Sequence, residues 1–231
     1  METTENPTTG VKTPQSSYHL TIDEWIGQMK LTFDNAMVPG IYETMQKVGY
    51  TEAKINSLKE KLARLENLQQ VRTKEYAGQF AESEAFDKMC TENYVLYKTH
   101  RDLAKIHFKE STLARASLKL DQPSKRTYSG WYQESTNFYA QLAANPELLA
   151  KAQEIGLTAA VVAERKQALL DLQALKESQR RETAEAQAAT VARDKAFDEL
   201  FPLYKDYINY AKVLLANNQA LEALGITVKA K

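Results

Sequence analysis

The side chains best suited to nucleophilic, acid–base or metal chemistry in this sequence are three histidines and one cysteine: His19, His100, His107 and Cys90. His100 and His107 stand seven residues apart, which places them about two turns apart on one face of a helix. A helical-bundle metal centre draws its ligands from Glu-x-x-His pairs and a further carboxylate, and no Glu-x-x-His occurs here. Cys90 lies ten residues before His100, too far along a helix for the imidazole to take the thiol proton, so a Cys–His nucleophile is not formed in this segment. Glycine-rich phosphate loops, Gly-x-Ser-x-Gly elbows and Cys-x-x-Cys pairs are absent. The sequence therefore predicts no catalytic, cofactor-binding or metal-binding residue, and no enzymatic activity.

Charge and composition narrow the partners. Lys plus Arg total 30 and Asp plus Glu total 30, giving a formal net charge of zero. Such a chain lacks the positive field that draws proteins to phosphate backbones or anionic lipid, so nucleic acid is not an expected partner. It also lacks the net repulsion that keeps copies of a protein apart, which favours self-association. The single cysteine cannot form an internal disulfide and fits a reducing compartment, so a cytoplasmic location is expected. No apolar run reaches the roughly 18 residues that a membrane span requires.

The elements that would position these residues are helical throughout. Gly and Pro number only 8 and 6, and Ala, Leu, Glu, Lys and Gln, which lose little side-chain freedom in a helix, fill much of the chain. Residues 1–17 are rich in Thr, Pro and Ser and read as a flexible tail. Thr21-Ile22-Asp23-Glu24 is a capping box that opens a helix stopping before Pro39. A short helix follows to Gly49, whose lack of a Cβ suits a left-handed C-cap. Thr51 caps the next helix, in which Ile55, Leu58, Leu62, Leu65 and Leu68 recur at three- and four-residue spacing. Apart from Gly78, nothing interrupts that helix before the turn at Asp121-Gln122-Pro123-Ser124.

A shift of 107 residues brings the same pattern back. Pro39 falls on Pro146, Gly49 on Gly156, Thr51 on Thr158, and Leu62, Leu65 and Leu68 on Leu169, Leu172 and Leu175. From 36 to 106, 22 of 71 positions are identical to their counterparts, without a gap. In each copy the proline is expected to start the short helix, the glycine to end it and the threonine to cap the long one. The second copy has neither Gly nor Pro between Lys176 and Lys195, so both long helices are expected to run unbroken, with a kink at Pro202 in the second. His100, His107 and Cys90 fall on Tyr207, Leu214 and Phe197, which makes them packing positions. The expected architecture is all-α: an elongated, coiled-coil-like helical bundle of two tandem helix–short helix–long helix copies. The boundaries are 18–120 for the first and 121–227 for the second, with a C-terminal tail at 228–231.

Aromatic residues are the remaining candidates for function. Trp131, Tyr132, Phe138 and Tyr139 cluster before the second short helix, and Tyr207 and Tyr210 lie late in the second long one. Two readings stand for these six: packing between helices, or an interface with a partner, where Tyr and Trp are enriched. In size, long-helix content and absence of catalytic motifs the chain resembles bacterial cytoplasmic fibril proteins. Through Leu221-Glu222-Ala223-Leu224-Gly225-Ile226 it also resembles uncharacterised bacterial proteins whose C-terminal long helix ends in such a segment. The expectation is a non-enzymatic scaffolding protein that forms homo-oligomers or filaments, the alternative being a helical adaptor for another protein or a membrane surface.

Overall fold

A computed structural model describes residues 20–215 and 218–226; the expected tails at 1–17 and 228–231, and His19, lie outside the described residues. The described residues form eight α-helices: α1 (Ile22–Asn35), α2 (Ile41–Gln46), α3 (Glu52–His107), α4 (Thr112–Ser117), α5 (Tyr128–Ala144), α6 (Pro146–Ala152), α7 (Ala159–Leu214) and α8 (Asn218–Ala223). A 3₁₀ turn at Gln153–Ile155 extends α6. The fold is all-α, as the composition predicts.

The two long helices each hold 56 residues and begin 107 residues apart. Both expected caps are present: Thr51 Oγ1 accepts from the Lys54 N–H at 3.4 Å, and Thr158 Oγ1 from the Val161 N–H at 3.2 Å. Gly49 and Gly156 end the preceding short helices at φ of 87° and 83°, where a side chain would be strained. Pro146 sits in the first turn of α6 below its cap Asn145, whereas Pro39 lies just outside α2, whose N-cap is Gly40. Neither Gly78 nor Pro202 interrupts its helix. Pro202 is exposed, so the carbonyl that its ring deprives of a donor faces water.

α3 stops at His107, well before the turn at residue 121. Ser111 explains the early stop: its hydroxyl accepts from the Ala114 N–H at 3.3 Å and starts α4, a competing use of the backbone that an unbroken helix would forbid. α4 and α8 then end alike. Leu120 N–H donates to the Arg115 carbonyl and Ile226 N–H to the Leu221 carbonyl, with Lys119 and Gly225 at φ of 53° and 79°. The repeat therefore extends beyond 36–106, with a one-residue change of register at its ends. At a shift of 106, Thr21, Trp25 and Phe33 of the α1 segment fall on Thr127, Trp131 and Tyr139.

The chain divides into two compact units, and this division differs from the division into repeats. Unit 1 comprises Met1–Gln70 with Val191–Lys231, and unit 2 comprises Val71–Thr190. Each unit draws on both repeats. In unit 1, α1, α2 and the first part of α3 pack on the last part of α7 and on α8. Its core joins Phe33, Met45, Ile55 and Leu65 to Leu200, Tyr207 and Ala211. In unit 2, α5, α6 and the first part of α7 pack on the last part of α3 and on α4, joining Trp131, Phe138, Leu157 and Leu172 to Phe86, Tyr97 and Phe108. Within each unit the two long helices run antiparallel. Tyr50, just before α3, meets Tyr207 while Gln69 meets Arg193, and Phe86 meets Lys176 while Ser83 meets Gln179.

Candidate interaction surfaces

The seam between the long helices keeps its register but changes its chemistry from unit to unit. In unit 1, Arg193 Nη1 donates to Gln69 Oε1 at 3.0 Å. The repeat-equivalent residues in unit 2 are Phe86 and Lys176, and there the ammonium lies 4.3 Å from the ring centroid. A polar hydrogen bond and a cation–π contact thus fill the same position. Deeper in each unit, His100 Nδ1 lies 2.9 Å from Tyr139 Oη in unit 2. Their equivalents in unit 1, Tyr207 and Phe33, meet edge to face with centroids 6.1 Å apart. Among the described residues the buried Tyr207 hydroxyl has no hydrogen-bond partner.

The chemically capable side chains sit in these packing roles. Burial holds the His100 imidazole below its ordinary pKa, with Arg165 acting in the same direction. Burial and then Asp87 push the Cys90 thiol up to about 11, which leaves little reactive thiolate at neutral pH. His107 Nε2 lies 3.7 Å from a Glu154 carboxylate oxygen. Arg101, buried on α3, donates to the carbonyls of Lys119, Leu120 and Gln122 and so ties down the connector between the repeats. Sequence reasoning missed that role, although Ile208 at the equivalent position of α7 shows how unusual an arginine is at a core position.

Of the six aromatic candidates, Trp131, Phe138, Tyr139 and Tyr207 are buried in the chain's own core. Their edge-to-face contacts are internal: Trp131 to Tyr94 at 5.7 Å, Phe138 to Tyr97 at 5.8 Å and Tyr207 to Tyr50 at 4.9 Å. Their burial gives these four a packing role between the helices. Tyr132 is half-buried and its hydroxyl donates to the Leu169 carbonyl at 3.2 Å. Tyr210 is 49% exposed. The late segment of α7 is buried on one side only, with Leu203, Tyr210 and Val213 exposed on the other.

That exposed side has a counterpart. Leu96, Leu103 and Ile106 of α3 are exposed in unit 2, and each is the repeat equivalent of Leu203, Tyr210 or Val213 in unit 1. The spacings of seven and three are those of a helix-pairing seam. Both stripes face away from their own core, where Tyr97, Arg101 and Ala104 in α3 and Tyr204, Ile208 and Ala211 in α7 are buried. Their outermost members are the most exposed, Ile106 at 70% and Val213 at 82%.

One further place differs between the units. The connector and Arg101 close the region beside Tyr97 and Phe138 in unit 2 to a cavity of about 20 Å³. The corresponding region of unit 1 is a groove of about 350 Å³ lined by Trp25, Tyr204, Ile208 and Lys212, with Leu20 and Ile226 at its edge. Near the Val71 and Thr190 end of the seam in unit 2, carboxylate oxygens of Glu75, Glu182 and Glu185 lie within 4.8 Å of one another. Glu75 and Glu182 are repeat equivalents, so the 107-residue register, read together with antiparallel pairing, is the signal that could have found them.

No family model, curated protein or solved structure matches the chain. Among the described residues no helix is long and apolar enough to cross a membrane.

Proposed function

We propose that this chain is a non-catalytic scaffolding protein that self-associates through the two exposed stripes. The observation that carries this reading is their recurrence: Leu96, Leu103 and Ile106 in one unit, and Leu203, Tyr210 and Val213 in the other, stay out of the core at equivalent positions. One apolar side chain at a surface needs no explanation, but the same three in both copies do. Two similar but non-identical surfaces on one chain favour a heterologous contact, in which the unit 1 stripe of one copy meets the unit 2 stripe of the next. Such contacts propagate into rings or filaments. Zero net charge adds no repulsion to oppose them. The packing roles of His100, Cys90 and Arg101 support the non-catalytic half of the reading, and the lone half-buried cysteine supports a reducing, cytoplasmic setting.

Sedimentation velocity across a concentration range tests the proposal. Species larger than the monomer are expected at tens of micromolar. Placing a charge on each stripe, Ile106→Glu with Val213→Glu, should weaken association at least tenfold, about 1.4 kcal/mol, with helical circular dichroism unchanged. A wild-type monomer at every concentration overturns self-association and assigns the stripes to a different protein, as in an adaptor.

A further inference from the structure

Each unit has a core built from both repeats. In unit 1, three side chains of α1 reach the end of α8: Gln28 Nε2 donates to the Gly225 carbonyl at 2.7 Å, Thr32 Oγ1 to the Leu224 carbonyl at 2.9 Å, and Asn35 Nδ2 to the Ala223 carbonyl at 2.7 Å. The first part of α3 lays Ile55, Leu58, Leu62 and Leu65 in one core with Leu200, Tyr204 and Tyr207 of α7. In unit 2 the roles are reversed, and α5 of the second repeat supplies Trp131, Phe138 and Tyr139 to Tyr94, Tyr97 and His100 of the first. Each repeat by itself is half of unit 1 and half of unit 2.

The covalent link between the repeats is a short connector, residues 121–126, of which all but Ser124 are exposed. It contributes nothing to either core, and a few polar contacts hold it in place. Arg101 donates to the Gln122 carbonyl, Arg115 pairs with Asp121, and the Lys125 N–H donates to Glu134 Oε2 at 3.1 Å. None of the core contacts requires that the two repeats belong to one polypeptide. The connector only sets an effective concentration, of millimolar order for a short link, at which the repeats of one chain find each other.

We propose that the first repeat of one chain can pair with the second repeat of another copy. Both units then form in trans, giving a closed dimer in which two chains exchange repeats. The partner is a second copy of this chain, and the surface is the α3–α7 seam with the α1–α8 and α4–α5 contacts that flank it. Six connector residues reach about 20 Å when extended, enough to join two complete bodies set side by side. Opening the connector releases the Arg101, Arg115 and Glu134 contacts and leaves every core contact to be remade in trans. This exchange does not depend on the exposed stripes, and it persists if the stripe-mediated association of the proposed function fails.

The test uses the full chain carrying Ile106→Glu and Val213→Glu, so that stripe contacts do not contribute, with a protease site inserted after Pro123. Cutting the folded protein should leave the two repeats coeluting in gel filtration with undiminished helicity. Release of two separately folded halves overturns the proposal, because it shows that each repeat is its own folding unit. Cut protein with a tag on its first repeat is then unfolded in urea and refolded together with untagged cut protein. Tagged first repeats should capture untagged second repeats in statistical proportion, and capture of none overturns pairing in trans. In the uncut chain, removal of residues 122–125 should double the mass of the folded species, and a folded monomer that persists at high concentration overturns the role of the connector. If this shortened chain does not fold, the refolding experiment still decides.

Discussion

Tyr139 and Tyr207 offer a controlled comparison, because each presents a buried hydroxyl where the two units meet the same packing problem differently. Tyr139 Oη is hydrogen-bonded to His100 Nδ1 at 2.9 Å, whereas the Tyr207 hydroxyl has no hydrogen-bond partner among the described residues. Burial raises the pKa of both phenols, by far enough for Tyr207 to reach about 12, so both are neutral at pH 7. Replacing Tyr139 with Phe removes a hydrogen bond worth about 0.5–1.5 kcal/mol. His100 is only half-buried, so water can recover part of its lost bonding, and about 1 kcal/mol is the expected loss. Replacing Tyr207 with Phe keeps the ring and its contacts with Tyr50 and Phe33, and removes a group whose unsatisfied burial costs about 1–3 kcal/mol. Tyr207→Phe should therefore be neutral to about 1 kcal/mol more stable. In a domain of this size 1 kcal/mol moves Tm by about 2–4 °C, within reach of calorimetry, with urea unfolding as a second measure. The reasoning is refuted if Tyr207→Phe loses more than about 1 kcal/mol or if Tyr139→Phe loses nothing.

Three further outcomes follow from single groups. Because burial lowers the folded-state pKa of His100, the unfolded chain binds its proton first as pH falls. Stability from this group is full above about pH 6.5 and declines as pH falls from there toward the lowered value. Urea midpoints measured from pH 7.5 to 5 should show that slope, and His100→Tyr, the residue type at the equivalent position 207, should flatten it. Gly78→Ala should stabilise α3 by up to about 1 kcal/mol from helix propensity. The added Cβ would lie 2.8 Å from a Glu182 carboxylate oxygen, but that is the end of a flexible side chain and can swing away; a lower Tm would show that Glu182 is fixed there. Finally, the raised pKa of Cys90 should slow its alkylation at pH 8 by on the order of 10²-fold relative to a free cysteine. Reaction with a disulfide reagent at the rate of a model thiol would contradict its burial.

The sequence by itself determined the parts whose causes are local. Thr51 and Thr158 cap because a hydroxyl before an apolar helix satisfies an otherwise unpaired N–H, and Gly49 and Gly156 end helices because only glycine takes positive φ cheaply. Their shared 107-residue spacing was enough to predict two long, unbroken helices. A local reading also had its failures. Ser111 is an ordinary residue until its hydroxyl is seen to start α4, and the Thr-x₃-Trp pattern at Thr21 and Thr127 falls one residue out of the 107 register. Only the tertiary structure decided which repeat each helix packs against. Leu62 and Tyr97 both look like core residues of the first repeat, yet one is buried in unit 1 and the other in unit 2, each against the second repeat. Periodicity reports that a face is apolar and not what will cover it, so the same signal described both the buried Trp131, Phe138 and Tyr207 and the exposed Leu103, Ile106 and Val213. Burial depends on where an antiparallel partner helix lies, and that is set by contacts more than a hundred residues apart in the chain, such as Gln69 with Arg193, which no local pattern records.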